Sequence, residues 1–285
     1  MTLTRVDGWQ GSDTTVAEIE RALAELRDVS DLRTSVMTHT AWVPEDWLEA
    51  ARTTLAGLAE RHPSRTILLV PRPDEDDALD ARVALECFPL GGDQRNVSSE
   101  VIELHLGGRR AQAAASMILP LLIPNLPVFL RWRGRPPFGT DVLDDLVDVV
   151  DRIVFDSIEW PDAPDALRQL AALFDRVAVS DIAWARTVFW RSALARLWPG
   201  IADISQLSVA GPESEALLLA GWLRSRLRRE VELAYEPAGE VERVAVDGDS
   251  VTEPAHERLS GSDLLSTELD RFSRDPIYEA AVRSV

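Results

Sequence analysis

Short apolar segments alternate with helical segments along most of this chain, and this alternation constrains its fold more than any other feature. From residue 127 onward it predicts strands at 127–132, 152–156, 176–179 and 204–209, and helices near 140–150, 164–174, 182–198 and 213–228. Such a pattern is typical of βαβ units, in which helices cover both faces of a largely parallel sheet. We therefore predict an α/β fold with a largely parallel sheet flanked by helices.

The regions before and after this stretch complete the predicted organisation. The earlier part predicts helices over 15–27, from Pro44 to about Arg61 and over 109–122, and strands at 34–43, 65–70, 82–88 and 99–106. After Arg229 come short strands at 231–236 and 241–246, turn signals at 237–239 and 247–248, and helical pieces near 262–272 and 276–283. Turn-rich short strands favour antiparallel pairing. We expect an N-terminal segment (1–61) packed on an α/β core domain (62–229), followed by a small antiparallel α+β subdomain (230–285).

The charge and the cysteine content exclude several classes of protein. The 285 residues carry a formal net charge of −18, whereas nucleic acids and anionic lipid surfaces require a basic footprint. The single cysteine excludes an internal disulfide and a thiol metal cluster. No apolar run reaches membrane-spanning length, and the N-terminus lacks a basic segment followed by an apolar core. These features predict a cytoplasmic protein that binds neither nucleic acid nor membrane.

The common catalytic motifs are absent from the sequence. It has no G-x-G-x-x-G, no Walker lysine motif, no G-x-S-x-G and no H-E-x-x-H, and its four histidines lie far apart. The segment Gly107-Gly108-Arg109-Arg110 joins a strand to a helix, where backbone N–H groups could hold a phosphate. A tight turn with a solvated arginine pair is the favoured interpretation of so short a pattern. We predict no catalytic residue, no metal site and no cofactor.

The strand predicted at 127–132 ends in a distinctive way. Alternation places Trp132 and Arg133 on opposite faces, and Gly134 with the following Pro-Pro pair then stops the strand. Arg133 and Arg135 would therefore be presented at the carboxyl end, where open α/β sheets carry ligands or partners. We predict that Trp132, Arg133 and Arg135 contact a partner, together with Trp160 in a nearby turn.

Two acidic residues come at the ends of neighbouring predicted strands. In a parallel sheet Asp156 and Asp181 would lie near the same edge as Arg133 and Gly211. Such a group could form a sugar-phosphate pocket, or a network in which Arg133 pairs internally and holds the edge together. Asp181 also precedes a helix, where capping is the usual role of aspartate.

The helix predicted at 182–198 is mostly apolar, which predicts that it is central and buried. Arg186 and Arg191 interrupt it and would point in different directions. Buried arginines need carboxylate or carbonyl partners, but tryptophan and arginine are also the favoured anchors of interfaces. We therefore assign Trp184, Arg186, Trp190 and Arg191, with Asp156 and Asp181, to a structural or interface role.

Six blocks of the sequence together resemble one family. They are HPSRTILLV (62–70), SSEVIELHLGG (98–108), LPLLIPNLPVFLRWRGRPP (119–137), LVDVVDRIVFDSIEWPD (146–162), DIAWARTVFWRSALARLW (181–198) and ESEALLLAGWLRSRL (213–227). In this order they resemble the OpcA family of glucose-6-phosphate dehydrogenase assembly proteins. The resemblance implies a non-catalytic partner that binds this dehydrogenase and promotes its oligomeric assembly and activity. The alternative is a sugar-phosphate-binding or -converting α/β enzyme that uses the arginine and aspartate cluster.

Overall fold

The computed structural model describes residues 4–28, 35–58, 61–89, 96–255 and 259–285. The strands of the larger sheet are β1 (Thr4–Gly11), β2 (Met37–Trp42), β3 (Ser64–Arg72), β4 (Leu79–Pro89), β5 (Asn96–Gly107), β6 (Val128–Trp132), β7 (Arg152–Phe155) and β8 (Ala178–Asp181). Their spatial order is β1-β4-β5-β3-β2-β6-β7-β8. A smaller sheet contains β9 (Gln206–Gly211), β10 (Glu232–Pro237), β11 (Arg243–Val246) and β12 (Asp249–Val251). The predicted α/β class is confirmed.

Eleven α-helices accompany these strands in the described part of the chain. They are α1 (Val16–Asp28), α2 (Leu48–Leu58), α3 (Arg109–Gln112), α4 (Ala114–Ile118), α5 (Asp141–Val147), α6 (Ala163–Leu170), α7 (Ile182–Arg186), α8 (Val188–Ala195), α9 (Glu213–Leu227), α10 (Gly261–Leu269) and α11 (Pro276–Val282). The helix predicted from Pro44 to about Arg61 begins as a 3₁₀ turn and continues as α2, and residues 59–60 lie outside the described part.

The centre of the larger sheet is parallel and buried on both faces. Strands β5, β3, β2 and β6 pair in parallel, whereas β4 pairs antiparallel with both β1 and β5. Every residue of β2 and of β6 is buried. Parallel strands covered by helices on both faces read as continuous apolar runs, which explains why the sequence predicts them well.

Helix α1 begins at a capping box, a local signal that fixes its first turn. Thr15 Oγ1 accepts a hydrogen bond from the Glu18 N–H at 3.3 Å, and Glu18 Oε2 accepts one from the Thr15 N–H at 3.0 Å. This reciprocal pair satisfies the Thr15 N–H and adds a side-chain acceptor for the Glu18 N–H, which also donates to the Thr15 carbonyl oxygen at 3.1 Å. The helix then buries Ile19 and Leu23 on its apolar face.

The smaller sheet differs from the predicted antiparallel hairpin in its connectivity. Strand β9, which the sequence pattern places in the parallel sheet, pairs in parallel with β10 and antiparallel with β11. Strands β10 and β11 therefore lie on either side of β9, and the sheet is mixed. Leu207 and Val209 of β9 are buried in a core that also contains Leu219 and Leu223 of α9. Burial against α9 decides the position of β9, and sequence periodicity carries no information about that choice.

The helix predicted at 182–198 is two helices. Helix α7 ends at Arg186 and α8 begins at Val188, with Thr187 between them at φ −74° and ψ −1°. The Thr187 hydroxyl donates to the Trp184 carbonyl oxygen at 2.8 Å, a local bond that competes with a continuous helix. Trp198 lies beyond the end of α8 and is 67% exposed, so its predicted burial in this helix is wrong.

The chain divides into two compact units. Unit 1 comprises Met1–Ile153 with Gly261–Leu269, and unit 2 comprises Val154–Ser260 with Asp270–Val285. The three segments expected from the sequence, 1–61, 62–229 and 230–285, have boundaries that differ from those of the two units. They stay a prediction about domain organisation.

Candidate functional site

A charged cluster in unit 2 brings together several of the residues that the sequence singled out. Asp156 directly follows β7, and Arg186 is the last residue of α7. Arg186 Nη1 donates to Asp156 Oδ1 at 2.8 Å, and Nη2 donates to Oδ2 at 2.7 Å. Asp156 is 6% exposed, so this bidentate ion pair is shielded from water on the carboxylate side. The pair holds the end of a strand to a helix.

Asp181 lies at the end of β8 and is fully buried. Its Oδ1 accepts hydrogen bonds from the Ala183 N–H at 2.9 Å and the Ser157 N–H at 3.0 Å, and its Oδ2 accepts one from the Tyr278 hydroxyl at 3.3 Å. Burial, with the charge of Asp156 as a smaller cause, raises the pKa of Asp181 to about 6. Asp181 therefore caps α7 and also ties α11 to this edge.

Glu215, in the first turn of α9, adds a third carboxylate to the cluster. It is 4% exposed, and its Oε1 lies 3.6 Å from Arg186 Nη1, beyond hydrogen-bonding distance. Burial raises the pKa of Glu215 to about 7, although Arg186 opposes the shift. The Arg186 guanidinium thus faces three buried carboxyl groups.

The packing of unit 2 involves Trp184, Trp190 and Arg191. The Arg191 guanidinium lies 3.4 Å from the centroid of the Trp184 ring, and its Nη2 donates to the Trp184 carbonyl oxygen at 3.1 Å. The Trp184 ring is 2% exposed, and its Nε1 donates to Asp275 Oδ2 at 3.0 Å. Trp190 is buried in the core below the smaller sheet. The cation–π contact and the carbonyl bond together fix α7 against α8.

This geometry favours an internal network over a sugar-phosphate pocket. The Arg186 guanidinium binds both oxygens of Asp156. A phosphate here would also meet the carboxyl groups of Asp181 and Glu215, which repel an anion when they are ionised. Among the described residues no group of three or more His, Cys, Asp or Glu side chains is arranged to hold a metal ion.

The predicted contact residues at the end of β6 differ in their exposure. Trp132 is 1% exposed and stacks on Trp42, with ring centroids 4.7 Å apart. Arg133 is half-buried: its Nη2 donates to Thr54 Oγ1 at 3.1 Å, and its guanidinium lies 5.7 Å from the centre of the Trp47 ring. Arg135 is exposed. Arg135 therefore lies at the surface and Arg133 partly so, whereas Trp132 belongs to the core. Their contact with a partner stays a prediction.

Trp160 and the Gly107-Gly108 turn are both occupied by internal contacts. Trp160 is 5% exposed and packs edge-on against Phe155 at 5.6 Å between centroids. After Gly108, which has φ +49°, the backbone N–H of Arg109 donates to Asp77 Oδ1 at 2.6 Å. A carboxylate of the chain itself thus fills the place where a phosphate could bind, as the tight-turn interpretation expects.

Two family models match the chain in succession. The model of the N-terminal domain of the glucose-6-phosphate dehydrogenase subunit matches residues 56–172, and the model of the C-terminal domain of that subunit matches residues 177–282. The chain belongs to the OpcA glucose-6-phosphate dehydrogenase assembly family. The resemblance drawn from its sequence blocks is confirmed.

Two curated relatives of this OpcA-family chain each match about three fifths of it. A putative OxPP cycle protein OpcA from Synechocystis sp. is 26% identical over 193 residues, covering 63% of this chain and 40% of the relative. Another from Nostoc punctiforme is 29% identical over 185 residues, covering 60% of this chain and 39% of the relative. The chain spans about two fifths of the length of the curated relatives it matches.

Sequence reasoning about this OpcA-family chain missed three residues that matter to the surface and the cluster. Glu215 and Tyr278 reach the cluster from α9 and α11 through tertiary packing, and no local pattern marks them. Trp198 is exposed beside Leu197, which is 40% exposed. A signal for Trp198 existed, because a residue before proline is disfavoured in a helix.

None of the described helices is long and apolar enough to cross a membrane.

Proposed function

We propose that this chain is a non-catalytic assembly factor and allosteric activator that binds glucose-6-phosphate dehydrogenase. The observation that carries the proposal is the pair of matching dehydrogenase-assembly domain models, which together extend from residue 56 to residue 282 with only 173–176 between them. Its relatives bear the name of an OxPP cycle protein, a name that fits a role beside this dehydrogenase. The net charge of −18 and the single cysteine are compatible with a cytoplasmic protein complex.

The charged cluster in unit 2 supports the non-catalytic part of the proposal. Its carboxylates accept hydrogen bonds from Arg186, Tyr278 and backbone N–H groups of the chain itself. A catalytic acid or base needs hydrogen-bonding access to a substrate atom. Asp156 and Asp181 are 6% and 0% exposed, which suits a structural network better than proton transfer to a ligand.

Activation requires that the chain bind one state of the dehydrogenase more tightly than another. A partner that binds two states equally shifts neither, whatever its affinity. The differential affinity equals the coupling free energy, which is typically about 1–3 kcal/mol in allosteric systems. We therefore expect binding, oligomeric state and activity of the dehydrogenase to change over the same concentration range.

The deciding experiment titrates the full chain into its cognate dehydrogenase. We expect sedimentation to show a larger assembly, and steady-state kinetics to show a lower KM, a higher kcat or both. The chain alone should not oxidise glucose 6-phosphate with a nicotinamide cofactor, because it lacks a dinucleotide fingerprint. Unchanged sedimentation and unchanged kinetics at saturating concentrations would refute the proposal, whereas assembly without a kinetic change would remove only the activation.

For the contact surface we propose the arginines at the end of β6. An exposed arginine can engage a partner carboxylate with two hydrogen bonds. Arg135→Ala should weaken dehydrogenase binding about tenfold, a loss of about 1.4 kcal/mol, and should lower the melting temperature less than Arg133→Ala does. Arg133→Ala should lower the melting temperature as well, because it removes the contacts with Thr54 and Trp47.

The matched control for these variants is Arg168→Ala, since the Arg168 side chain is 62% exposed and lies in unit 2. Affinity is measured by calorimetric titration and stability by thermal unfolding of each chain alone. Full affinity in Arg135→Ala, or an equal loss in Arg168→Ala, would contradict the placement of the contact surface at the end of β6.

A further inference from the structure

A pocket of about 160 Å³ lies within unit 1, between one face of the sheet and the helices α2 and α10. Strand alternation builds its floor: His39 of β2 is the cross-strand neighbour of Thr66 in β3, and Thr66 is the neighbour of Val101 in β5. Leu55 and Leu58 of α2 and Leu269 of α10 form part of the opposite wall. The pocket therefore has a polar side and an apolar side.

Two polar atoms in the lining of this pocket have no hydrogen-bond partner among the described residues. They are His39 Nε2 and Ser99 Oγ, and both residues are 2% exposed. More than nine tenths of buried polar groups in native proteins are hydrogen-bonded to protein or to ordered water. These two groups are therefore available to form hydrogen bonds with a molecule that occupies the pocket.

The charges of the pocket are already balanced. Glu103 Oε1 accepts hydrogen bonds from Arg52 Nη2 and from His105 Nε2, both at 2.8 Å. Burial, with smaller contributions from Arg131 and His62, lowers the pKa of His39 to about 4, so its imidazole is neutral near pH 7. An anionic ligand would find Arg52 already paired, and a cationic ligand would find Glu103 occupied. The complementary molecule is uncharged.

We propose that this pocket is a binding site for a small uncharged molecule that carries a hydroxyl group. A hydroxyl both donates and accepts, so it complements Ser99 Oγ and either tautomer of a neutral His39. The rest of the molecule packs against the leucines of α2 and α10. Because a cavity of about 150 Å³ can hold benzene, the volume suits about six to eight non-hydrogen atoms. This site is independent of the proposed binding of a dehydrogenase.

The test uses three ring compounds of similar size and the full chain. Phenol carries the hydroxyl, toluene replaces it with a methyl group, and benzylammonium, with eight non-hydrogen atoms, carries a positive charge. We expect calorimetry to give phenol an affinity at least tenfold higher than that of toluene or benzylammonium. Crystals soaked in phenol should show its oxygen within hydrogen-bonding distance, about 3.2 Å, of His39 Nε2 or Ser99 Oγ.

Two substitutions distinguish ligand binding in this pocket from the general effect of removing a buried hydroxyl group. Ser99→Ala should reduce phenol affinity about tenfold and should also raise the melting temperature of the free chain, because it removes an unpartnered polar group. The matched control is Ser214→Ala in unit 2, whose hydroxyl is likewise buried without a partner among the described residues. It should raise the melting temperature and leave phenol binding unchanged.

Three outcomes would overturn the proposal. One is equal affinity for phenol and toluene, which would mean that the polar wall does not select its ligand. Another is undiminished phenol binding in Ser99→Ala. The last is a pocket that holds only ordered water after soaking, since a polar space of this size can satisfy its walls with solvent alone.

Discussion

Buried carboxylates behave in opposite ways in the two units. In unit 1, Glu103 accepts hydrogen bonds from Arg52 and His105, and these lower its pKa to about 2 although burial acts in the other direction. In unit 2, burial raises the pKa of Asp181 to about 6 and that of Glu215 to about 7. Burial is common to both regions, so the ratio of cations to carboxylates decides the direction of the shift.

This difference predicts opposite contributions to stability. Arg65 and Glu100, another ion pair of unit 1, lie 2.7 Å apart with side chains that are 8% and 6% exposed. In the described part of unit 2, the Arg186 guanidinium interacts electrostatically with all three of these carboxyl groups. A buried ion pair contributes little by itself, whereas a buried carboxylate without a cation is strongly unfavourable. Unit 2 should therefore depend on one residue more than unit 1 does.

The largest effect is expected for Arg186→Met. It removes the bidentate bond to Asp156 and the cation beside Glu215, which leaves these carboxylates buried without compensation from Arg186. We expect a loss of about 3–5 kcal/mol in the free energy of unfolding at pH 8, measured by chemical denaturation. The loss should be smaller at pH 5, where Glu215 is protonated.

Arg168→Met is the control for this variant, because it changes an arginine whose side chain is 62% exposed. Its effect should stay within about 0.5 kcal/mol. If Arg186→Met were as stable as this control, the cluster would not be held by the Arg186 guanidinium, and the contrast between the units would fail.

The next effect concerns Glu215 and has a defined pH window. Its pKa lies near 7 in the folded chain against 4.5 for an ordinary glutamate, so the unfolded chain releases this proton first as the pH rises. Stability should therefore fall between about pH 4.5 and 7 and then level off. Glu215→Gln lacks this titration, and above pH 7 it should be more stable than the natural chain by about 2–3 kcal/mol.

Thermal unfolding of both chains at pH 4.5, 6 and 8 measures this difference. Asp181 also titrates near pH 6 and is present in both chains, so its own titration largely cancels, and its charge contributes to the raised pKa of Glu215. A stability difference that does not change with pH would show that Glu215 is not buried as a neutral acid.

The sequence predicts some members of the charged cluster in unit 2 better than others. Asp156 and Asp181 can be placed at one edge because parallel strands present their carboxyl ends together. Glu215 cannot, because its position depends on where β9 and α9 pack, and β9 lies in the smaller sheet. The sequence shows that Arg186 needs a partner, and it leaves open which carboxylate that partner is.

The strands and the pocket in unit 1 also differ in how well the sequence predicts them. Apolar runs such as β3 and β6 are visible because burial on both faces demands them. Strand β1 contains Gly8 and ends at Gly11, both weak strand formers, and the sequence pattern does not predict it. The pocket in unit 1 is built by cross-strand neighbours such as His39 and Thr66, a register that depends on strand order. Isolated histidines and serines carry no such information.

The smallest effect is expected for Glu103→Gln, and its pH dependence has the opposite sign. The folded-state pKa near 2 lies below the ordinary 4.5, so ionised Glu103 stabilises the chain fully above pH 4.5 and loses this contribution as the pH falls toward 2. Arg52 is 32% exposed, and water therefore screens the pair. We expect Glu103→Gln to be about 1–2 kcal/mol less stable than the natural chain at pH 7.

Chemical denaturation of both chains between pH 3 and 7 measures this effect, and the matched control is Glu49→Gln. Glu49 also bonds to Arg52, but its side chain is 83% exposed, so its removal should cost little at any pH. The stability lost through Glu103→Gln should shrink as the pH falls, whereas the stability gained through Glu215→Gln should grow as the pH rises. If both variants shifted stability in the same direction, the balance of cations would not be what separates the two units, and burial alone would explain both.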